Sequence, residues 1–267
     1  MRIGRSSRER PNGRPYEDGS VRRKRTIGWR TERTDLPTVR LKRLAAVVVP
    51  VTDDRERWNE RYDEGTFDPA DEPIPALERR IATFPDGRAL DVATGTGRNA
   101  LFLAEHGYDV DAVDISDAAI ERARERASDR GVAANSNWIR ADLAEVDLGR
   151  GRYDVITVGF FAALEHLPAL KEALTPGGVL VYEHHLRSSD PVAGPSTDRY
   201  RYRSNDLLRA CLDLTVLSYE ERRRPVGDGT GDGDDDDSIA VATLVARRSS
   251  GGTQSYPNRA AETDGGG

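Results

Sequence analysis

Covalent staples are excluded at the outset, because Cys211 is the only cysteine in the chain and no internal disulfide can form. It lies in Leu207-Leu208-Arg209-Ala210-Cys211-Leu212, a helical apolar pattern, and is read as a small buried core residue. Long apolar runs are also missing. The longest, Leu44 to Val49, ends at Pro50 and falls far short of the roughly 20 residues a spanning helix needs. The mostly polar stretch before it does not match a signal peptide. Together these absences point to a cytoplasmic protein with no membrane attachment. Lysine is nearly absent: Lys24, Lys42 and Lys171 are the only ones among 40 basic residues.

Acid is plentiful, with 46 Asp and Glu. Residues 1–50 carry a net +9 and the remainder −15, which sum to the chain's −6. An acidic, lysine-poor surface stays hydrated where salt screens ordinary repulsion, so a salt-adapted setting is expected. The Arg-rich segment 1–50 has no sustained period. It reads as a disordered arm, as a segment outside the working protein, or as a nucleic-acid-binding arm. The domain is expected over residues 51–248, and the Gly/Ser-rich tail 249–267 is expected to be disordered.

Within the domain, Thr52 or Asp53 is placed to cap a helix over Asp53–Glu64, with Trp58 and Tyr62 on one face and Gly65 as its stop. Prolines 69, 73 and 75 make a connector, and Leu77, Ile81 and Phe84 share a helical face. Strands and helices then alternate: strands at Arg88–Val92, Asp109–Asp114, Ser136–Arg140, Tyr153–Val158 and Val179–Glu183, and helices at Arg98–His106, Asp117–Arg130, Leu167–Leu174 and Asp206–Cys211. Ser116 is the expected cap of the helix from Asp117, and Ser204 or Asn205 that of the helix from Asp206. Thr215–Glu220 and Ser238–Ala246 have no helix between them and read as an antiparallel hairpin. The expected fold is α/β, a doubly wound, mostly parallel seven-stranded sheet ending in that hairpin.

The chemistry gathers at strand ends. Asp91-Val92-Ala93-Thr94-Gly95-Thr96-Gly97-Arg98 runs from a strand through a small-residue turn into a helix. Gly95 and Gly97 let a ligand approach the backbone. Such a turn suits either a dinucleotide pyrophosphate or S-adenosylmethionine. Asp91 would repel the first and suit the ammonium group of the second. Asp114, before Ile115 and Ser116, can accept both ribose hydroxyls. Asp142, before Leu143, can accept from an adenine amino group.

Leu90-Asp91-Val92-Ala93-Thr94-Gly95-Thr96-Gly97, Val113-Asp114-Ile115-Ser116, Ala141-Asp142-Leu143, Tyr153-Asp154-Val155-Ile156 and Leu174-Thr175-Pro176-Gly177-Gly178-Val179-Leu180 resemble the successive motifs of class I S-adenosylmethionine-dependent methyltransferases. Trp58-Asn59-Glu60-Arg61-Tyr62 resembles the opening helix of their small-molecule, tellurite-resistance and thiopurine-type branch. The resemblance implies S-adenosyl-L-methionine as cofactor. It sets Asp91, Ala93, Gly95 and Gly97 along the methionine moiety, Asp114 and Ile115 at the ribose, Asp142 and Leu143 beside adenine, and Tyr62 and Arg98 over the cofactor. Ala93 stands where many members have glycine, a change that a negative φ would accommodate.

On the acceptor side, Trp58, Phe160, Phe161 and His184 are candidate pocket residues, and no catalytic base has a motif of its own. His184 and His185 point to opposite faces of a strand and do not chelate one metal ion, so no metal is expected. Arg199-Tyr200-Arg201-Tyr202-Arg203 either receives an anionic substrate or, the favoured reading, pairs with surrounding carboxylates. The Asp-rich Gly227–Asp237 stretch lacks a calcium-loop register and reads as a solvated hairpin loop. The expected activity is methyl transfer to a small molecule. The alternatives are an NAD-dependent oxidoreductase using the same turn, and a non-catalytic cofactor-binding or nucleic-acid-associated protein.

The charge balance predicts that the melting temperature, followed by circular dichroism, rises steeply as potassium chloride is taken into the molar range. Indifference to salt would contradict salt adaptation.

Overall fold

The computed structural model describes residues 54–65, 71–225 and 238–251. The arm 1–50, the Thr52 or Asp53 cap, the connector at Pro69, the acidic stretch 227–237 and most of the tail lie outside the described residues.

Seven strands form one sheet: β1 (Arg88–Val92), β2 (Asp109–Asp114), β3 (Ser136–Arg140), β4 (Tyr153–Gly159), β5 (Leu174–His185), β6 (Thr215–Pro225) and β7 (Ser238–Arg247). Their order across the sheet is β3-β2-β1-β4-β5-β7-β6. The first five are parallel, and β7 inserts antiparallel between β5 and β6. The central strands β1, β4 and β5 are buried along most of their length, as strands covered on both faces are, whereas the edge strand β3 has no buried residue.

The helices are α1 (Asp54–Asp63), α2 (Pro75–Arg80), α3 (Arg98–Glu105), α4 (Asp117–Asp129), α5 (Leu167–Ala173) and α6 (Asp206–Ala210). One core layer joins α2 and α3 to the sheet through Leu77, Ala100, Leu103, Ala112, Val155 and Val181. The other joins α5 and α6 through Leu167, Leu170, Leu180, Tyr182 and Leu207, with Cys211 fully buried among them. Alternation along β5 therefore sends Val181, Glu183 and His185 to the α3 face, and Tyr182, His184 and Leu186 to the α5 face. Among the described residues no helix is long and apolar enough to cross a membrane.

Local chemistry sets the element ends. Ser116 caps α4 as expected, its Oγ accepting from Ala119 N at 3.1 Å. Gly131 follows that helix at φ +71°, a left-handed turn that favours glycine. Two expectations are corrected. Asn205 occupies the cap position of α6, but its side chain makes no capping bond, and Ser204 Oγ donates to Glu221 instead. β5 begins before the Pro-Gly-Gly turn rather than after it. Leu174 pairs with Tyr153 and Val179 with Val155, so residues 175–178 bulge out between two paired positions.

At the amino-terminal rim of the sheet, Asp111 accepts from Arg88 through both oxygens, from Arg152 at 3.2 Å, Asn137 at 2.9 Å and the Tyr153 hydroxyl at 2.9 Å. Burial alone would raise the Asp111 pKa, but the donors Asn137, Tyr153 and Arg88 outweigh it and hold it below the ordinary carboxylate value. Its stabilising effect is present above the unfolded pKa and is lost as pH falls through the lower folded value. Asp111→Asn is expected to cost about 2 kcal/mol in urea unfolding at neutral pH, with the difference shrinking in acid. An unchanged midpoint would show that the cluster contributes nothing.

Candidate functional site

The turn between β1 and α3 is built around Asp91, which is wholly buried. Thr94 Oγ1 donates to its Oδ2 at 2.5 Å, while Thr157 Oγ1 at 2.6 Å and Asn99 Nδ2 at 3.3 Å donate to Oδ1. Burial pushes the Asp91 pKa up, and the bonds from Thr157, Thr94 and Asn99 pull it back. Because all three partners donate, they match the ionised carboxylate. Asn99 also accepts from Ile74 N at 3.0 Å, which ties the start of α2 to the same point. Asp91 therefore holds the turn from beneath.

Ala93 leads into the turn at φ +51°, contrary to the negative φ expected. The left-handed conformation is imposed by its neighbours, because Asp91 fixes one side and Thr94 N donates to Val113 O at 3.0 Å on the other. Gly95 (φ +55°) and Gly97 (φ +87°) complete the bend. A methyl on Gly95 would meet the Tyr62 hydroxyl at 2.7 Å, and one on Gly97 would meet the Trp138 ring at 2.7 Å. The Tyr62 hydroxyl thus packs directly on Gly95, whereas Gly97 makes room for the Trp138 ring and Ala123 of α4.

At the end of β2, Asp114 accepts from Gly95 N at 2.8 Å and Ser116 N at 2.9 Å, one bond to each oxygen. Its pKa is raised, mainly by burial, against those two bonds and a further backbone bond from Ile115. A carboxylate has about four lone-pair sites, which leaves room for a hydroxyl donor. Asp142 begins the next turn after β3, where its Oδ1 accepts from Ala144 N at 2.9 Å. Ala141 N donates to Asp114 O at 2.9 Å, so the two strand ends are adjacent. Ile115 lies half-buried beside Asp114, and Leu143 is packed into the core next to Asp142.

Helix α1 closes this rim. Its Asn59 Oδ1 accepts from Ser116 Oγ at 2.7 Å, and Arg122 of α4 donates to Tyr62 O. Arg126 of α4 donates to Thr96 Oγ1 at 2.8 Å, clamping the glycine turn to the same helix. The Tyr62 hydroxyl is buried over the turn and its pKa is raised, by burial first and by Asp114 second. Trp58 sits one helical turn earlier, its ring 6.1 Å from that of Tyr62.

On the other side of the turn, the Arg98 guanidinium lies 5.2 Å from the centre of the Phe160 ring. Phe160 follows β4 at φ +55°, and its ring stacks at 4.4 Å on His185. His184, by contrast, faces the α5 side of the sheet. It is 2% exposed, lies 4.1 Å from the Tyr202 ring, and neither ring nitrogen has a hydrogen-bond partner. Burial takes its pKa down to about 3. Phe161 packs on that same face, its carbonyl accepting from the Tyr182 hydroxyl at 2.6 Å.

The structure thus gathers Tyr62, Asp91, Ala93, Gly95, Asp114 and Asp142 at one rim, with Arg98 and Phe160 beside them. It separates His184 and Phe161 onto the other face. From the Glu183-His184-His185 strand end, sequence reasoning chose His184 as the pocket residue, and it passed over Arg224. Glu183, fully buried, accepts from Arg224 Nη2 at 2.9 Å and Thr243 Oγ1 at 3.0 Å. The period-2 alternation of β5 was the signal that pairs His185 with Glu183. The favoured reading of Arg201 as a partner of carboxylates is also corrected. Its guanidinium donates to the carbonyls of Pro195, Leu186, Val192 and Ala193 at 3.0–3.4 Å.

Comparison with known proteins gives the same picture of the fold. Residues 89–178 match a family model described as a methyltransferase domain. The ubiquinone/menaquinone biosynthesis C-methyltransferase UbiE of Azotobacter vinelandii is 32% identical over 124 residues, 43% of this chain and 49% of that protein. Glycine N-methyltransferase of Rattus norvegicus is 38% identical over 117 residues, 36% of this chain and 40% of that protein. The chain spans about half or less of the length of these curated relatives. Among solved structures, TehB from Haemophilus influenzae superposes with a TM-score of 0.57 at 20% identity, covering 72% of this chain and 67% of that one. An S-adenosylmethionine-dependent methyltransferase from Mesorhizobium loti superposes with a TM-score of 0.51 at 21% identity, covering 65% and 96%.

Relieving the left-handed strain at Ala93 is expected to outweigh the added chain entropy of glycine. Ala93→Gly should raise unfolding stability by about 0.5–1 kcal/mol, read as a higher urea midpoint with unchanged slope. A lower midpoint would show that Ala93 is not strained.

Proposed function

We propose that this chain, which carries a methyltransferase domain on a class I methyltransferase fold, transfers the methyl group of S-adenosylmethionine to a small-molecule acceptor. The observation that carries the proposal is the Asp114 carboxylate at the strand-end rim, bonded to Gly95 N with the Tyr62 hydroxyl against the same glycine; the cofactor slot is proposed between this turn and Tyr62. The residues present fit an adenosyl sulfonium. Asp114 can accept the ribose hydroxyls, and Asp142 lies at the neighbouring strand end for the adenine amino group. Gly95 leaves backbone open to the methionine moiety, and Asp91 beneath the turn supplies negative potential for the ammonium group. Arg98 offers its guanidinium to the carboxylate. A pyrophosphate would meet the Asp91 charge under the same turn, which disfavours the dinucleotide alternative.

The bound cofactor supplies a methyl group on an already activated sulfur leaving group. The chain's own work is alignment and exclusion of water. Tyr62 and α1 roof the slot, Asp114 and Asp142 orient the nucleoside, and Arg98 with Phe160 forms the wall toward the ends of β4 and β5, where the acceptor enters.

Calorimetric titration with S-adenosylmethionine tests this reading. Asp114→Ala is expected to weaken binding by about 1–3 kcal/mol, the scale of hydrogen bonds to a charged acceptor. Unchanged affinity would remove Asp114 from the site, and tight NAD binding without S-adenosylmethionine heat would overturn the proposal.

A further inference from the structure

The wall beyond the methionine end has an unusual charge balance for a chain of net charge −6. Arg98, half-buried, donates to Glu72 O at 3.4 Å and has no carboxylate within ion-pair distance among the described residues. Burial pushes its pKa down, with Arg224 adding to that, while Glu183, Asp91 and Glu72 pull it up from further away. Arg201 is held by four backbone carbonyls, which satisfy its donors without cancelling its charge. Arg224 shares the one carboxylate, Glu183, and its Nε is buried without a partner.

The His185 imidazole sits among these cations. Phe160 stacks on it at 4.4 Å, and Gly194 lies so close that a methyl there would come within 2.8 Å of the ring. Its Nδ1 is buried and has no hydrogen-bond partner among the described residues. Burial, then Arg201 and Arg224, lower its pKa to about 4, so the ring is neutral at physiological pH. A neutral imidazole keeps one N–H to donate. With Arg98 committed to the cofactor carboxylate, Arg201 and Arg224 are the described guanidinium groups beside the His185 ring, Glu183 is the carboxylate that Arg224 meets, and Asp91 is already enclosed by its own donors.

Resting on the methyl-transfer reading, we infer that the acceptor is a small anion, seated against Arg224 and His185 with its nucleophilic atom already deprotonated. In the transfer, a lone pair of that atom forms the bond to the methyl carbon as the carbon–sulfur bond breaks, and the released pair stays on sulfur. The anion and the sulfonium become neutral together, so no proton leaves and no base is required. Bringing opposite charges together to cancel is favoured in a site closed to water. This accounts for a strand end whose histidine is a poor proton acceptor and has two guanidinium groups beside it.

The test uses the full chain with isotope-labelled histidine and two near-isosteric probes: thioacetate, an anion at neutral pH, and thioacetamide, which is uncharged. NMR follows the His185 resonance, assigned by His185→Gln. Thioacetate is expected to shift it saturably, and thioacetamide to bind about tenfold more weakly or not at all. Glu183→Gln removes the competing acid and should tighten thioacetate binding by about threefold or more. Arg224→Gln should abolish it, and Arg224→Lys, which keeps the charge, should restore part of it. Equal binding of both probes, a thioacetate shift that never saturates, or no gain in Glu183→Gln would overturn the inference. Calorimetry with S-adenosylhomocysteine on the same samples separates the two readings. Anion binding without cofactor binding would overturn the methyl-transfer proposal and with it the acceptor role, leaving only an anion site, whereas cofactor binding without anion binding would overturn this inference alone.

Discussion

One buried carboxylate organises the ligand-facing half of this molecule. Asp91 receives Thr94 from the glycine turn, Thr157 from β4 and Asn99 from α3, and Asn99 extends the bond to the start of α2. An ionised group that deep is stable only when its lone pairs are filled by donors, so the four segments are fixed to one another through it. The left-handed Ala93 and the glycine bend follow from that constraint, and so does the close packing of Tyr62 on Gly95. Rigid placement of the turn lets Asp114 serve two purposes, holding Gly95 N while presenting lone pairs at the rim.

Around this fixed point the chain arranges more adaptable parts. Helix α1 reaches the rim through Asn59, Tyr62 and the α4 arginines. It also touches the segment before α6, where Arg57 lies 3.4 Å from the Tyr200 hydroxyl. The same α1 helix thus covers the glycine turn and contacts the segment that carries Arg201. The antiparallel insertion of β7 brings Thr243 beside Glu183, and β6 adds Arg224 from the next strand. A simple parallel extension of the sheet would not place a cation there.

Much of the fold was legible in the sequence, because apolar periodicity and turn chemistry agree along most of the chain. The strand-end acids Asp91, Asp114 and Asp142 sit at the rim that their motifs implied. The roles within that rim were less legible. Burial separates Asp91, closed off by protein donors, from Asp114, and no spacing rule reports burial. Ala93 looked compatible with a negative φ because torsion at that residue is set by hydrogen bonds from distant strands. On β5, alternation showed that His184 and His185 diverge, but which one meets the site depends on which core layer lies behind it. Arg201 looked like an ion-pairing residue by composition, while the chain wraps four carbonyls around it. Each of these misses arises from contacts between segments far apart in sequence.

The central claim is that a turn anchored on Asp91 makes an adenosyl site at the ends of β1 and β2. A crystal structure grown with S-adenosylhomocysteine tests it most directly. The account predicts ribose hydroxyls on the Asp114 carboxylate, the nucleoside in the slot between Gly95 and Tyr62, and the thioether sulfur facing Phe160. A nucleoside bound elsewhere, or a slot that stays closed with Asp114 free of ligand, would contradict it.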